Sequence, residues 1–148
     1  MITRSTLASG VVLVVATVVA YADAATSQGA TLLVNVSEFK NQSGTLRCGL
    51  YSSASEFPSG RGVRATASIS GKTARCRFAG IVPGTYAIAV FHDENDNGKL
   101  DKSFFGVPTE GYGVSNNHTH ALSSPKWDES KFRVVGGGRK ALAISLRY

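Results

Sequence analysis

The sequence predicts an all-β fold, a single sandwich of about seven short strands. Three observations carry that prediction. Apolar residues recur at every second position along most of the chain, the spacing of a half-buried strand. Turn-forming clusters separate those stretches: Asn41-Gln42-Ser43-Gly44, Ser70-Gly71, Val82-Pro83-Gly84 and Gly136-Gly137-Gly138. The 148 residues are the length of one domain, and 43% hydrophobic with 18% charged residues excludes a disordered chain.

The first residues read as an address. Arg4 gives a positive start, Leu7 to Ala20 is apolar, and Ala22 and Ala24 form an A-x-A site. This is the pattern of a secretory signal peptide spanning 1–24, cleaved after Ala24. The alternative is an uncleaved anchor, but the apolar stretch falls short of the ~20 residues a spanning helix needs. The sandwich domain is then 25–148. It is expected to be exported to the periplasm or the medium, monomeric, and without a transmembrane span.

The strands follow in order. Leu32, Val34 and Val36 alternate with Leu33, Asn35 and Ser37 in the first. Thr45–Tyr51 is the second, Val63–Ile69 the third and Lys72–Phe78 the fourth. Ser70-Gly71 reads as a tight hairpin joining the last two. Ser53–Gly62 holds at most one helical turn. Thr85–His92 is the fifth strand, with Tyr86, Ile88 and Val90 on one face. Phe132–Val135 is a short sixth, and Ala141–Tyr148 the seventh, with Leu142, Ile144 and Leu146 together. The core expected from this alternation also takes in Leu46, Leu50, Val63, Ile69 and Phe78.

Cys48 lies on the face of Leu46 and Leu50, and Cys76 on the face of Ala74 and Phe78, so both thiols point inward. In an oxidising compartment they are expected to form a disulfide. The alternative is two buried free thiols packed as small apolar groups.

Asp93 to Lys131 breaks the rhythm. It has no sustained period and carries Gly106, Pro108, Gly111, Gly113 and Pro125 with Phe104, Phe105, Tyr112 and Trp127. Long loops in compact domains are commonly functional, and the aromatics argue for an ordered one packed on the sandwich.

Within it and before it runs Val-Pro-Gly-Thr-Tyr-Ala-Ile-Ala-Val-Phe-His-Asp-Glu-Asn-Asp-Asn-Gly-Lys-Leu-Asp, Val82 to Asp101. It continues as Phe105-Gly106-Val107-Pro108-Thr109-Glu110-Gly111-Tyr112-Gly113-Val114-Ser115-Asn116-Asn117. Over nearly the whole sandwich domain the chain resembles the exported bacterial family known as domain of unknown function 2141. The resemblance implies a small secreted sandwich of the transthyretin-like or immunoglobulin-like kind. The family's biochemical role is unassigned, so no catalytic residue carries over. The chain departs from the family at Cys48 and Cys76, where Val-like residues are expected, and at His118-Thr119-His120.

Four constellations are candidates for chemistry. Counted from Asp93, side-chain oxygens of Asp93, Asn95, Asn97 and Asp101 fall at positions 1, 3, 5 and 9, with Gly98 at 6 and the Lys99 carbonyl at 7. That is the front of an EF-hand-type loop, whose oxygens suit Ca²⁺. Position 12 is Phe104 where the motif needs a bidentate Glu, leaving Glu110 as the candidate to return. The alternative is an Asx-rich turn capped by its own side chains, with Lys99 and Lys102 balancing the carboxylates. His118 and His120 share a side when extended, and His92 is the one available third nitrogen for a metal; otherwise they are surface histidines. Ser115, His92 and Asp93 can be written as a triad, but no G-x-S-x-G elbow is present, and adjacent His92 and Asp93 point to opposite faces. Lastly, Arg47, Arg64, Arg75 and Arg77 alternate outward on the second, third and fourth strands. If those strands share a sheet, they make a basic stripe for an anionic envelope polymer, phospholipid heads or nucleic acid. Otherwise they are a solvated face on a chain of net charge +6.

Non-enzymatic binding or scaffolding through the Asp93–Lys131 loop, with Ca²⁺ as its one candidate cofactor, is the leading expectation. The others are an enzyme or metal-dependent carbohydrate-processing accessory, and a structural envelope protein using the arginine stripe.

Overall fold

The computed structural model describes residues 29–148, so the expected signal peptide and cleavage site lie outside the described residues. Eight strands form two facing sheets, the all-β sandwich expected. They are β1 (Ala30–Ser37), β2 (Thr45–Tyr51), β3 (Val63–Ala67), β4 (Thr73–Ile81), β5 (Gly84–Asp93), β6 (Tyr112–Val114), β7 (Phe132–Val134) and β8 (Arg139–Ser145). One sheet runs β4-β1-β8, and the other β3-β2-β5-β6, with β7 also paired to β5. Pairing is antiparallel except between β1 and β8, which run parallel with Val34 opposite Leu142. A single-turn helix, α1 (Trp127–Ser130), and a 3₁₀ turn at Ser115–Asn117 are the helical elements among the described residues.

Alternation explains the core. Leu32, Val34 and Val36 of β1, Leu46 and Leu50 of β2, Ile88 and Val90 of β5, and Ile144 of β8 are buried between the sheets. Burial of each such side chain contributes about 1.5–3 kcal/mol against the entropy of ordering the chain. Cys48 in β2 and Cys76 in β4 form a disulfide with Cα atoms 6.6 Å apart, so one covalent bond staples the two sheets. The chain-entropy account puts a closed loop of this length at about 3 kcal/mol.

Four expectations are corrected. The third strand ends at Ala67, and Val63 is 55% exposed instead of lying in the core, because it sits at the open edge of the sheet. Ser70-Gly71 is a tight turn, with the Ser70 N–H donating to Thr73 O (2.9 Å) and the Thr73 N–H to Ser70 O (3.1 Å). It joins β3 of one sheet to β4 of the other, so it is a corner between layers and not a hairpin within one. The last strand stops at Ser145. Beyond it Leu146 N–H bonds Ser37 O (3.0 Å), and Arg147 exchanges two backbone bonds with Tyr112 (2.9 Å each), carrying the tail from one sheet to the other. The arginine stripe does not form. Arg47 and Arg64 lie on one sheet, and Arg75 and Arg77 on the opposite one.

The long loop is ordered and contains β6, whose Tyr112 and Val114 stand opposite Phe91 and Ala89. Its remaining residues fold over the outer face of the β3-β2-β5-β6 sheet. There Tyr51, Phe57, Ala87 and Val114 form a second apolar cluster, with Trp127 and Ala89 packed against it. Phe57 sits edge-on to both Tyr51 and Trp127.

Candidate functional site

The site begins where β5 ends. Asp93 is wholly buried. Its carboxylate accepts the N–H groups of Asn97 (3.0 Å) and Gly98 (2.8 Å) and pairs with Arg47 Nε from the neighbouring β2. Gly98 turns at φ +80, a backbone conformation that side chains with a Cβ resist. Asn95 Oδ1 accepts the Asn97 N–H (3.1 Å), and Asn97 Oδ1 accepts the Lys99 N–H (2.9 Å). The amide nitrogens of both asparagines donate to Asp101, Asn95 at 2.8 Å and Asn97 at 2.9 Å. Glu110 does return. Buried at the base of the loop, it accepts the N–H groups of Glu94 (2.8 Å) and Asp101 (3.0 Å).

The six residues of the sequence-derived ion set, Asp93, Asn95, Asn97, Lys99, Asp101 and Glu110, thus come together in one compact loop. Each carboxylate and amide oxygen with a partner there takes it from a nitrogen. The positive charge beside the buried Asp93 carboxylate belongs to Arg47, an arginine expected to be part of an exposed face. Burying Asp93 without that partner would be strongly unfavourable. Among the described residues no three His, Cys, Asp or Glu side chains are grouped to hold a metal.

The histidines are dispersed. His92 is buried, with Nε2 2.7 Å from Ser43 O and Nδ1 2.8 Å from the Tyr148 hydroxyl. A carbonyl can only accept, so Nε2 carries a proton. His120 Nε2 meets Glu129 Oε2 at 2.6 Å, and His118 is exposed. That bond holds the Glu129 carboxyl below its ordinary value, partial desolvation opposes it, and Lys126 adds a smaller attraction. Ser115 Oγ accepts the Ile88 N–H (2.9 Å) and donates to Ser130 O (2.5 Å). Ser115, His92 and Asp93 each face other partners, and no relay joins them.

Between these features lies a cleft of about 760 Å³ on the outer face of the β3-β2-β5-β6 sheet. Its floor is made of small residues, Gly49 and Ala89. A Cβ at Gly49 would come within 2.7 Å of the Tyr51 hydroxyl, so glycine there lets Arg64 cross the floor. Arg64 donates to the Tyr51 hydroxyl (2.5 Å) and to Gly60 O (2.6 Å), its guanidinium 5.2 Å from the Tyr51 ring centroid. One wall is the arm from Gly98 to Pro108, and the other the strap from His120 to Pro125. The arm is closed by the Ser103 N–H on Val107 O (2.8 Å). The strap is tied down by His120 and by the Tyr112 hydroxyl on His120 O (3.4 Å).

The charge of this cleft is one-sided. Arg47, Arg64, Lys99 and Lys102 line it with His120, and among the described residues no Asp or Glu does. Its size lies within the range of small-ligand sites. Sequence reading gave Lys99 and Lys102 only as a balance for the loop carboxylates, not as cleft residues, and it missed Tyr51. The signal was the alternation of arginine with Gly49 and Ala89 on neighbouring strands, since a strand face of small residues leaves a hollow.

A family model described as an uncharacterized protein conserved in bacteria, DUF2141, matches residues 34–142, well over half the chain. The chain belongs to this family. The matched span covers both sheets, the acidic loop and both walls of the cleft. Neither a curated protein nor a solved structure matches it.

Proposed function

We propose that this DUF2141 member is an exported, non-enzymatic binding module whose cleft takes a ligand bearing phosphate or carboxylate groups. One observation carries the reading: Arg64, Lys99 and Lys102, none paired with a carboxylate among the described residues, line a 760 Å³ hollow beside Arg47 and His120, whose partners Asp93 and Glu129 lie outside the lining. Like charges gathered around a concave surface focus the field there and attract anions. The Tyr51, Phe91 and Tyr112 rings in the same lining add apolar contact. The leader at 1–24 supports export, to the periplasm or the medium, where an anionic envelope polymer is the natural class of ligand.

Two further points bear on the alternatives. Ser115, His92 and Asp93 are each committed to structural hydrogen bonds, which favours binding over hydrolysis. The acidic loop has Arg47 at its buried carboxylate, which favours an internal arginine over Ca²⁺ as its counter-charge.

Titration calorimetry with polyphosphate as the probe tests the reading. Binding is expected to weaken with salt, and by about fivefold for each of Arg64→Gln, Lys99→Gln and Lys102→Gln. Arg75→Gln with Arg77→Gln, on the other sheet, is expected to leave it unchanged. Equal losses from both sets would place binding in general surface charge and reject the cleft.

A further inference from the structure

Two turns frame the mouth of the cleft, and both carry large apolar side chains on their tips. Phe104 is 98% exposed and Phe105 88% exposed on the arm, and Leu122 is 89% exposed on the strap. Phe105 and Leu122 both line the cleft, from opposite walls. Phe104 packs edge-on to Phe105, ring centroids 5.5 Å apart. These side chains are not loosely held. The Gly106 N–H bonds Ser103 O (2.9 Å) under the two rings, Lys102 bridges to Pro108, and His120 bridges to Ser123 below Leu122. A tight turn ordinarily carries polar residues, and single exposed apolar residues need no explanation. Two phenylalanines and a leucine on paired turns beside a basic hollow are a different pattern.

The charges decide what such tips would meet. Lys99 and Lys102 project from the same arm and are exposed, and Lys126 follows the strap. The arm's own carboxylate, Asp101, is turned back onto the Asn95 and Asn97 amides. Exposed aromatic tips among lysines, at the rim of a cationic cleft, match a surface that is anionic outside and apolar beneath.

We infer that this end of the protein docks on a bilayer containing anionic phospholipid. Phe104, Phe105 and Leu122 enter the interface, and the cleft cations face the headgroup phosphates. The inference rests on the anion-binding reading of the cleft and names the source of the anion. Each lysine near the surface is worth about fivefold in affinity, and burial of the two rings about a hundredfold together.

The experiment uses the whole chain left after cleavage, 25–148, and reads the tip itself. Phe104→Trp is titrated with vesicles of phosphatidylglycerol and phosphatidylcholine in equal parts, or of phosphatidylcholine alone, with brominated acyl chains as quenchers. The introduced indole is expected to shift blue and be quenched on the anionic vesicles only. Trp127 in the unsubstituted protein, packed against Phe57, reports no such change. Phe104→Ser with Phe105→Ser is expected to cost about a hundredfold in vesicle affinity while polyphosphate still binds. Polyphosphate binding without quenching of the introduced indole overturns the docking and leaves the cleft reading standing. Loss of both overturns both. Vesicle binding unchanged by the serine pair, or an assembly of the protein alone that depends on the two rings, also overturns it.

Discussion

The two sheets present outer faces of opposite character. On the β4-β1-β8 sheet, Arg75 and Arg77 stand exposed, and Arg75 donates to Asn35 of the adjacent strand at 2.6 Å. On the other sheet, Arg47 and Arg64 occupy the same kind of alternating position, yet each is drawn into a built environment. Arg47 pairs with a buried carboxylate, and Arg64 lies across the floor of a cleft onto a tyrosine. The difference does not come from the strands. It comes from the loops over that face: the segment 93–131, whose Asp93 pairs with Arg47, and the connection between β2 and β3, whose Gly60 O accepts from Arg64. An alternating arginine is a solvated charge until a loop gives it walls, and the loop here is held by polar side chains more than by apolar ones.

The strongest way to break that contrast is Asp93→Ala. It leaves Arg47 without its buried partner and removes the acceptor for two loop N–H groups. Arg47 is 32% exposed and can take up water, so the cost lies in three lost hydrogen bonds to a charged group, each about 1.5 kcal/mol or more. The thermal midpoint is expected to fall by more than for any other variant named here, with hydrogen exchange rising in 93–110 before it rises in β4 or β1. Arg75→Ala, on the bare face, should move stability by no more than about 0.5 kcal/mol.

Next in size is Cys48→Ser with Cys76→Ser, which releases the staple between the sheets and should cost about 3 kcal/mol, read as a lower denaturant midpoint. Ser115→Ala removes a buried hydroxyl from Ile88 and Ser130 and should cost about 1–3 kcal/mol. If that variant also opens the strap, anion affinity will fall with it; if not, the strap stands on His120 and Tyr112 alone.

The pH dependence is smaller and runs in two directions. Glu129 titrates below its ordinary value because His120 hydrogen-bonds it. Its contribution is therefore present above the ordinary carboxylate value of 4.5 and lost as pH falls through the lowered one. Glu129→Gln should flatten the acid limb of a plot of melting midpoint against pH. Tyr148 titrates above its ordinary 10.0, chiefly because it is partly buried, with the nearby Glu94 and Glu110 charges adding to the rise. Its contribution is present below that value and lost as pH rises past it, so Tyr148→Phe should flatten the alkaline limb. Calcium is expected to have the least effect, with no change in midpoint at excess ion. A bound ion at 100-fold its Kd would add about 2.7 kcal/mol, and a rise of that order would give the loop's counter-charge to calcium instead of Arg47.

Much of the fold was legible because the residues that decide it are neighbours in sequence. Leu32, Val34 and Val36 announce a buried face within five positions, and the inward set of each cysteine was plain from Leu46 and Phe78. Three-residue β6 was not, since a period of two needs more length to show. The allocation of β3 and β4 to different sheets was hidden because Ser70-Gly71 makes the same tight turn in either case. At the site, the mutual capping of Asp93, Asn95 and Asn97 is local chemistry and could be read in advance. That Arg47 would face Asp93 depends on β2 lying beside β5, with Arg47 opposite Phe91 and Thr45 opposite Asp93. The cleft joins Arg64, Lys102 and Leu122 from three distant segments, and only the folded chain brings them to one hollow.

The parallel pairing of β1 with β8 bears on how the domain carries mechanical load. Their registered residues run from Thr31 with Arg139 to Ser37 with Ser145. A pull between the start of β1 and the end of β8 lies along both strands in opposing senses. The ladder must then slip as a whole, all its bonds stressed together, instead of opening one rung at a time.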